Sequence, residues 1–267
     1  MHPASSVIFF TTASGAGFGI MSWLCVAILM GHYTLTPHTI VMGVIGLVLA
    51  GAGLLSSTLH LGNPQRAWRA VSQWRTSWLS REGILAVLTC LNFAGILALY
   101  LTSGVVLPWM AGSCLVLSLL TIIATAMIYA QIKPVPRWHT KLTVLCYLGF
   151  STSTGMAVIA SVSPTRYHVY LAFGGLVLAW VFKLLWWQRA SRTSLSHDGS
   201  TTATATGLTG FSSVKLFEKP HMTQNYLMTE MVFEIGRKHA ARLRQIALLA
   251  GGLLPFICLG LAIMTGQ

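Results

Sequence analysis

Acidic residues are almost missing from this chain: 5 Asp and Glu stand against 17 Lys and Arg in 267 residues. All charged types together reach only 8%, where a soluble globular domain carries about 25%. A water-exposed globule is thereby excluded. No Asp or Glu stands in the middle of an apolar run. Pumps and ion-coupled transporters keep such groups near the bilayer midplane, so this absence argues against both.

Clustered cysteine is also missing. Cys25, Cys90, Cys114, Cys146 and Cys258 all fall in apolar runs, without ligand-like spacing. Buried free cysteine behaves as a small hydrophobe, and an iron–sulfur site needs grouped thiolates. Any cluster would belong to a partner. Mid-bilayer histidine is absent as well: His32, His38 and His168 fall on one side, and His139, His197, His221 and His239 on the other. Haem b, which needs two axial histidines at a common depth, is not expected; His60 and His139 make the least poor inner pair. The opening MHPASSVIFFTT has no Lys or Arg ahead of its apolar run and no small-residue cleavage site after it. It does not read as a secretory leader, so the first run is expected to remain as a span.

What is present is apolar: 54% of residues are hydrophobic, with a mean hydropathy of +0.70. A run of about 20 apolar residues crosses a bilayer, and in lipid its backbone must satisfy itself as helix. Seven such runs are read, at 7–31, 38–60, 82–102, 105–130, 142–162, 167–187 and 243–265. The expected fold is an all-α polytopic transmembrane helical bundle. Its divisions are a six-span unit over 1–187, a Ser/Thr/Gly-rich flexible linker over 188–214, a membrane-surface or docking segment over 215–242, and the last span over 243–267.

Positive charge orients the bundle. Sixteen of the Lys and Arg fall after spans two, four and six or at that end of span six, leaving Arg166 alone on the other side. By the positive-inside rule the basic loops and the N-terminus are expected in the cytoplasm. Nucleic-acid binding is excluded, since no continuous soluble basic domain exists.

Within span two, Gly43, Gly46, Ala50, Gly53, Ser57 and His60 recur at steps of three and four. They form one stripe, either a close helix contact, with the Gly15/Gly19 step of span one as its partner, or a slot for an isoprenoid tail. The stripe leads to the most polar stretch, LHLGNPQRAWRAVSQWRTSWLSREG, from Leu59 to Gly83. Pro64 cannot continue the preceding helix. Ala67, Ala70, Val71, Trp74 and Trp78 then fall at helical steps, as in a short interfacial helix with Trp in the headgroup belt. His60 closes span two and Glu82 opens span three at the same boundary. A quinone head takes two electrons and two protons, so a titrating histidine and a proton-exchanging carboxylate are what its site requires. Farther on, Glu230, Glu234 and Lys238 fall at helical steps of four, and Gly236 could break or bend that helix before the last span.

LHLGNPQRAWRA followed by SWLSREG resembles the signature of the dimethyl sulfoxide reductase anchor subunit family, HLG-x-P-x-R-A and then S-x-LS-x-E. PHMTQNYLMTEMVFEIGRKHAARLR resembles that family's second block, and the MHPASSVIFFTT opening is like members assigned to sulfite-oxidising complexes. The resemblance covers nearly the whole chain. It implies an anchor, in a bacterial inner membrane, for a molybdopterin catalytic subunit and a four-cluster iron–sulfur subunit, which the one-sided basic loops are expected to hold on the cytoplasmic face. It also implies a quinone, ubiquinone or menaquinone, bound without haem. His60, Gly62, Pro64 and Arg66 match the first motif; Ser77, Leu79, Ser80 and Glu82 match the second. Arg81 stands where the reductase branch commonly has asparagine.

The implied quinone site is His60 and Glu82 with Arg66, Arg81, Trp78 and Ser57. The implied docking residues are Arg69, Arg75, His221, Asn225, Tyr226 and Arg237. No residue of this chain is expected to act on the sulfur substrate, and none to bind metal. Sulfite oxidation with quinone reduction fits best. Open alternatives are a quinol-oxidising anchor of a reductase and a purely structural scaffold. The best-known family members have eight spans, so an eighth is also open.

Overall fold

The computed structural model describes residues 5–31, 36–58, 64–133, 135–193, 201–211, 213–215, 217 and 238–265. Among them, seven helices are long and apolar enough to cross a membrane, in the places expected. They are α1 (Ser5–Leu29), α2 (Pro37–Thr58), α3 (Trp78–Ser103), α4 (Pro108–Ala130), α5 (Lys141–Val162), α6 (Arg166–Arg192) and a last span, Ala240–Thr265. The chain is a polytopic all-α membrane protein.

Local chemistry sets the ends. Pro37 and Pro108 open α2 and α4, where a missing N–H costs nothing. Ser77, Thr140 and Thr165 cap α3, α5 and α6, their hydroxyls accepting from the backbone N–H of Ser80, Leu142 and His168 at 3.4, 3.3 and 3.2 Å. Gly104 closes α3 at φ +68°, a left-handed turn that glycine adopts without strain. Two boundaries depart from the sequence reading. The Ser77 cap starts α3 a turn earlier than span three was expected, and α6 runs on to Arg192, so Gln188–Arg192 are helix rather than linker. Thr202–Thr206 is a further short helix within the expected linker.

The first helix is the centre of the bundle. Its apolar stretch is 67% buried, against 44% for α4, the next most buried, and it packs on α2, α4 and α5. Small residues permit this on two faces. A Cβ at Gly17 would lie 2.5 Å from the Gly46 carbonyl oxygen, and one at Gly53 would lie 2.8 Å from the Ser14 nitrogen. Gly43 meets Phe93 and Leu97 of α3; over Gly46, Ala50 and Gly53 the α2 stripe is therefore a seat filled by α1 and not an open slot. Its partner is Gly17 with Ser14 and Ile20, not Gly15 and Gly19 as expected. Gly15 and Gly19 share the opposite face, since two residues turn a helix by about 200°. They meet α5, where a Cβ at Gly155 would lie 2.5 Å from the Ile20 nitrogen. Trp23 Nε1 adds a bond to the Thr152 carbonyl at 2.9 Å.

The last span sits at the edge, its apolar stretch 6% buried, and leans on α6. A π-helical turn at Leu249–Leu253 interrupts it. Such turns release carbonyls from the regular ladder, and here Trp180 Nε1 donates to the Gly251 carbonyl at 3.0 Å. The indole also lies against Gly252, where a Cβ would come within 3.2 Å of the ring. Phe173 and Phe256 meet edge to face at 5.5 Å below this hook.

Candidate functional site

One end of the bundle gathers the start of α1, α3, α5 and the last span with the finish of α2, α4 and α6. Contacts between these ends hold it together. Ser56 Oγ donates to the Ser6 carbonyl at 3.1 Å, Arg189 Nη1 to the Pro136 carbonyl at 3.0 Å, and Arg244 lies over Trp187 at 4.5 Å. The expected site falls at this end. His60, with Leu59 and Leu61–Asn63, lies outside the described residues, as do His221, Asn225, Tyr226 and Arg237. Glu230 and Glu234 lie there too. The Pro64–Gln73 segment forms a helix, but a 3₁₀ one. It ends before Trp74, so Trp74 sits in a turn and Trp78 belongs to α3. Arg66 lies on that segment, and Trp68, Val71 and Trp74 are exposed.

Glu82 is 3% exposed, buried one turn inside α3 rather than standing at its mouth. It faces α4, where the Thr125 hydroxyl donates to Glu82 Oε1. This bond is the outer end of a polar seam between α3 and α4. Deeper in, Thr89 and Thr121 share a hydroxyl contact at 3.2 Å and Asn92 Nδ2 donates to Ser113 Oγ at 2.8 Å. Burying a carboxyl group is costly unless it is bonded, so Thr125 is what makes Glu82 tolerable there.

The other expected site residues have local tasks. Arg81 Nε and Nη2 donate to the carbonyls of Trp74 and Arg75 at 2.8 and 2.7 Å, while its guanidinium lies over Trp78 at 4.4 Å. Arg81 thereby clamps the turn between the 3₁₀ helix and α3, and does not point a free charge at Glu82. Ser57 Oγ donates to the Leu54 carbonyl of its own helix at 2.6 Å. Arg69 and Arg75 stack on Trp68 and Trp74 at 5.5 Å each on the exposed side. His139 Nδ1 donates to the Ala130 carbonyl at 2.7 Å, closing α4. Among the described residues, no group of three or more His, Cys, Asp or Glu comes together that could hold a metal ion.

Sequence reasoning missed the neighbour of Glu82. Thr125 and Tyr129 are one turn apart on α4 and share a face. Tyr129 stacks on Tyr147 of α5 at 5.8 Å and 21°, and meets Trp138 edge to face at 5.6 Å. The two phenol rings thus lie side by side between α4 and α5. These rings line a cavity of about 310 Å³ with Thr143, Lys183 and Trp186. Lys183 lies under Trp186 and Trp187 at 4.6 and 5.3 Å, and Trp186 Nε1 donates to Thr143 Oγ1 at 3.1 Å. The available signal was that Tyr129, Tyr147 and Lys183 all sit within three turns of helix ends that meet at one boundary. The cavity thus offers phenols, an ammonium and aromatic walls, with Val7, Ile8, Thr11 and Cys146 completing its lining.

Fold and site together define a polytopic membrane protein with one basic face, a buried carboxyl group and an aromatic cavity at that face. The chain belongs to the DMSO reductase anchor subunit (DmsC) family, whose sequence model matches residues 1–250. It is 33% identical to a sulfite dehydrogenase subunit of Allochromatium vinosum, an alignment spanning 100% of this chain and 88% of that protein. No solved structure matches it. It is accordingly a membrane anchor within a multi-subunit oxidoreductase.

Proposed function

We propose that this chain fixes a molybdopterin subunit and an iron–sulfur subunit to the cytoplasmic face of a bacterial inner membrane and passes electrons between them and the quinone pool. Sulfite is the substrate class that its similarity to a sulfite dehydrogenase subunit favours. Oxidation of sulfite to sulfate by the catalytic partner releases two electrons, which travel through the iron–sulfur partner. Reduction of a quinone consumes those two electrons and two protons.

The observation that carries this reading is the buried Glu82–Thr125 pair at the basic end of the bundle. A carboxyl group set one turn inside α3 sits between the aqueous end of the bundle and its apolar interior. Glu82 would exchange the protons there, with His60 as a second donor and Thr125 holding the carboxylate in place. The arginines of the 64–81 segment, with His221, Asn225, Tyr226 and Arg237, would face the iron–sulfur subunit. The sixteen basic residues on one side favour the cytoplasm for that face.

The test is His60→Ala in the assembled complex. Quinone-coupled sulfite oxidation should be lost, while turnover with a dye that takes electrons from the catalytic partner persists. Unchanged quinone turnover would remove His60 from the site. Retention of the whole activity on deleting this chain from membranes would remove the anchor's redox role altogether.

A further inference from the structure

Lys183 is the one charged side chain lining the cavity between α1, α4, α5 and α6. Among the described residues it meets no anion. Their single acid, Glu82, faces α4 and is bonded by Thr125, and no oxygen among them accepts from Lys183 Nζ. The ammonium lies under the Trp186 and Trp187 indoles, at 4.6 and 5.3 Å. Ring faces attract a cation, but three N–H donors call for acceptors, and a charge in a bilayer is costly until it is paired.

The surroundings of Lys183 narrow what can pair it. Tyr129, Trp138, Tyr147 and Trp186 ring the space, and such amphipathic rings concentrate at the depth of lipid headgroups. The volume of about 310 Å³ is at the lower end of small-ligand sites, about 300–1,000 Å³, and more than a bare oxyanion fills. Thr11, Thr143 and the Trp186 indole already donate within the protein, which concentrates the demand for an acceptor on Lys183. On the α1 side the lining is Val7 and Ile8, and Ile8 is exposed, so a hydrocarbon chain can leave there for the bilayer.

We propose that this cavity seats an anionic phospholipid, its phosphate against Lys183 Nζ and one acyl chain passing Ile8. No carboxylate lines the cavity among the described residues. A zwitterionic lipid would therefore bring a second ammonium into a space that already holds one, whereas a glycerol headgroup brings none. The ligand class is a phosphodiester with an uncharged head, such as phosphatidylglycerol. The bound lipid would join the central helix to α4, α5 and α6 at the basic end, independently of where quinone reacts.

Native mass spectrometry of the full chain, equilibrated in mild detergent with equal phosphatidylglycerol and phosphatidylethanolamine, tests this. One phosphatidylglycerol should be retained in preference by roughly tenfold, the worth of one hydrogen bond to a charged group. Lys183→Met should abolish the preference and Lys183→Arg should keep it. Equal retention of the two lipids, or a preference that survives Lys183→Met, would overturn the seat. Should Lys183→Met fail to melt cooperatively, the wild type carries the test. Phosphatidylglycerol with a diazirine near the head of one acyl chain should then label residues 7–11, 143–147 or 183–186, and label confined elsewhere would overturn the proposal. Millimolar inorganic phosphate should leave that label in place; its loss to phosphate would make the site one for a free oxyanion and overturn the lipid. Loss of the label to a short-tailed quinone, but not to excess unlabelled phosphatidylglycerol, would overturn it as well.

Discussion

The sharpest consequence of the buried carboxyl group is a separation between two substitutions that touch the same contact. Glu82→Gln keeps the volume and an oxygen that the Thr125 hydroxyl can bond, but removes proton exchange. Thr125→Val keeps the acid and removes the donor that holds it. A positioned general acid or base contributes about 10²–10⁴-fold to a rate, so Glu82→Gln should depress quinone-coupled turnover by at least about 100-fold. Losing a hydrogen bond to a charged group costs about 1.5–3 kcal/mol, roughly 10–150-fold if placement of Glu82 limits the rate, with 1.4 kcal/mol to each factor of ten. Thr125→Val should therefore fall between wild type and Glu82→Gln. Because Glu82 is 3% exposed, neither change should weaken copurification of the partner subunits or their dye-coupled activity. The assay is steady-state quinone reduction by the purified complex, with dye reduction as the internal reference. Quinone turnover within twofold of wild type in Glu82→Gln would refute the proton role. Loss of the partner subunits would refute the placement of Glu82 inside the bundle.

Three further outcomes follow from the packing. Gly155→Val should lower the thermal midpoint in detergent, because its Cβ meets the Ile20 nitrogen and overpacking costs about 1–3 kcal/mol or more; a midpoint equal to wild type would contradict the α1–α5 crossing. Trp180→Phe should cost only about 1 kcal/mol, one hydrogen bond to the Gly251 carbonyl, and should raise hydrogen exchange within the last span alone. Arg81→Ala should free the Trp74–Arg75 turn and speed proteolysis there without changing the melting of the bundle, a split that a global stability role for Arg81 would not produce.

The seven spans were legible because length and hydropathy dictate them. The polar end was legible because Glu82 and the arginines interrupt those runs. Depth was harder to read. The Ser77 cap draws four more residues into α3 and carries Glu82 inside, which hydropathy does not register because Trp78 and Leu79 belong equally to a loop or a helix. The α2 stripe revealed a contact face but not its partner. Periodicity gives the angle around one helix and says nothing of which helix lies opposite, so Gly15 and Gly19 were matched to α2 when they serve α5. Thr125, Tyr129 and Tyr147 were passed over for a related reason. A hydroxyl in an apolar run ordinarily bonds its own helix, as Thr152 and Ser118 do here, and only tertiary pairing marks the ones that do more.

The central position of α1 bears on how the molecule is made. Of the seven spans, the one that precedes the others in the chain is the most enclosed, and its window has the second lowest hydropathy, 1.6. Its bond from Trp23 reaches a carbonyl 129 residues farther along the chain. Until α5 emerges, the Gly15–Gly19 face and the Trp23 indole have no native cover, so α1 must be held at the membrane through the synthesis of four more helices. The centre of this anchor thus precedes its own cover in the chain, and its packing is complete only once α5 has arrived.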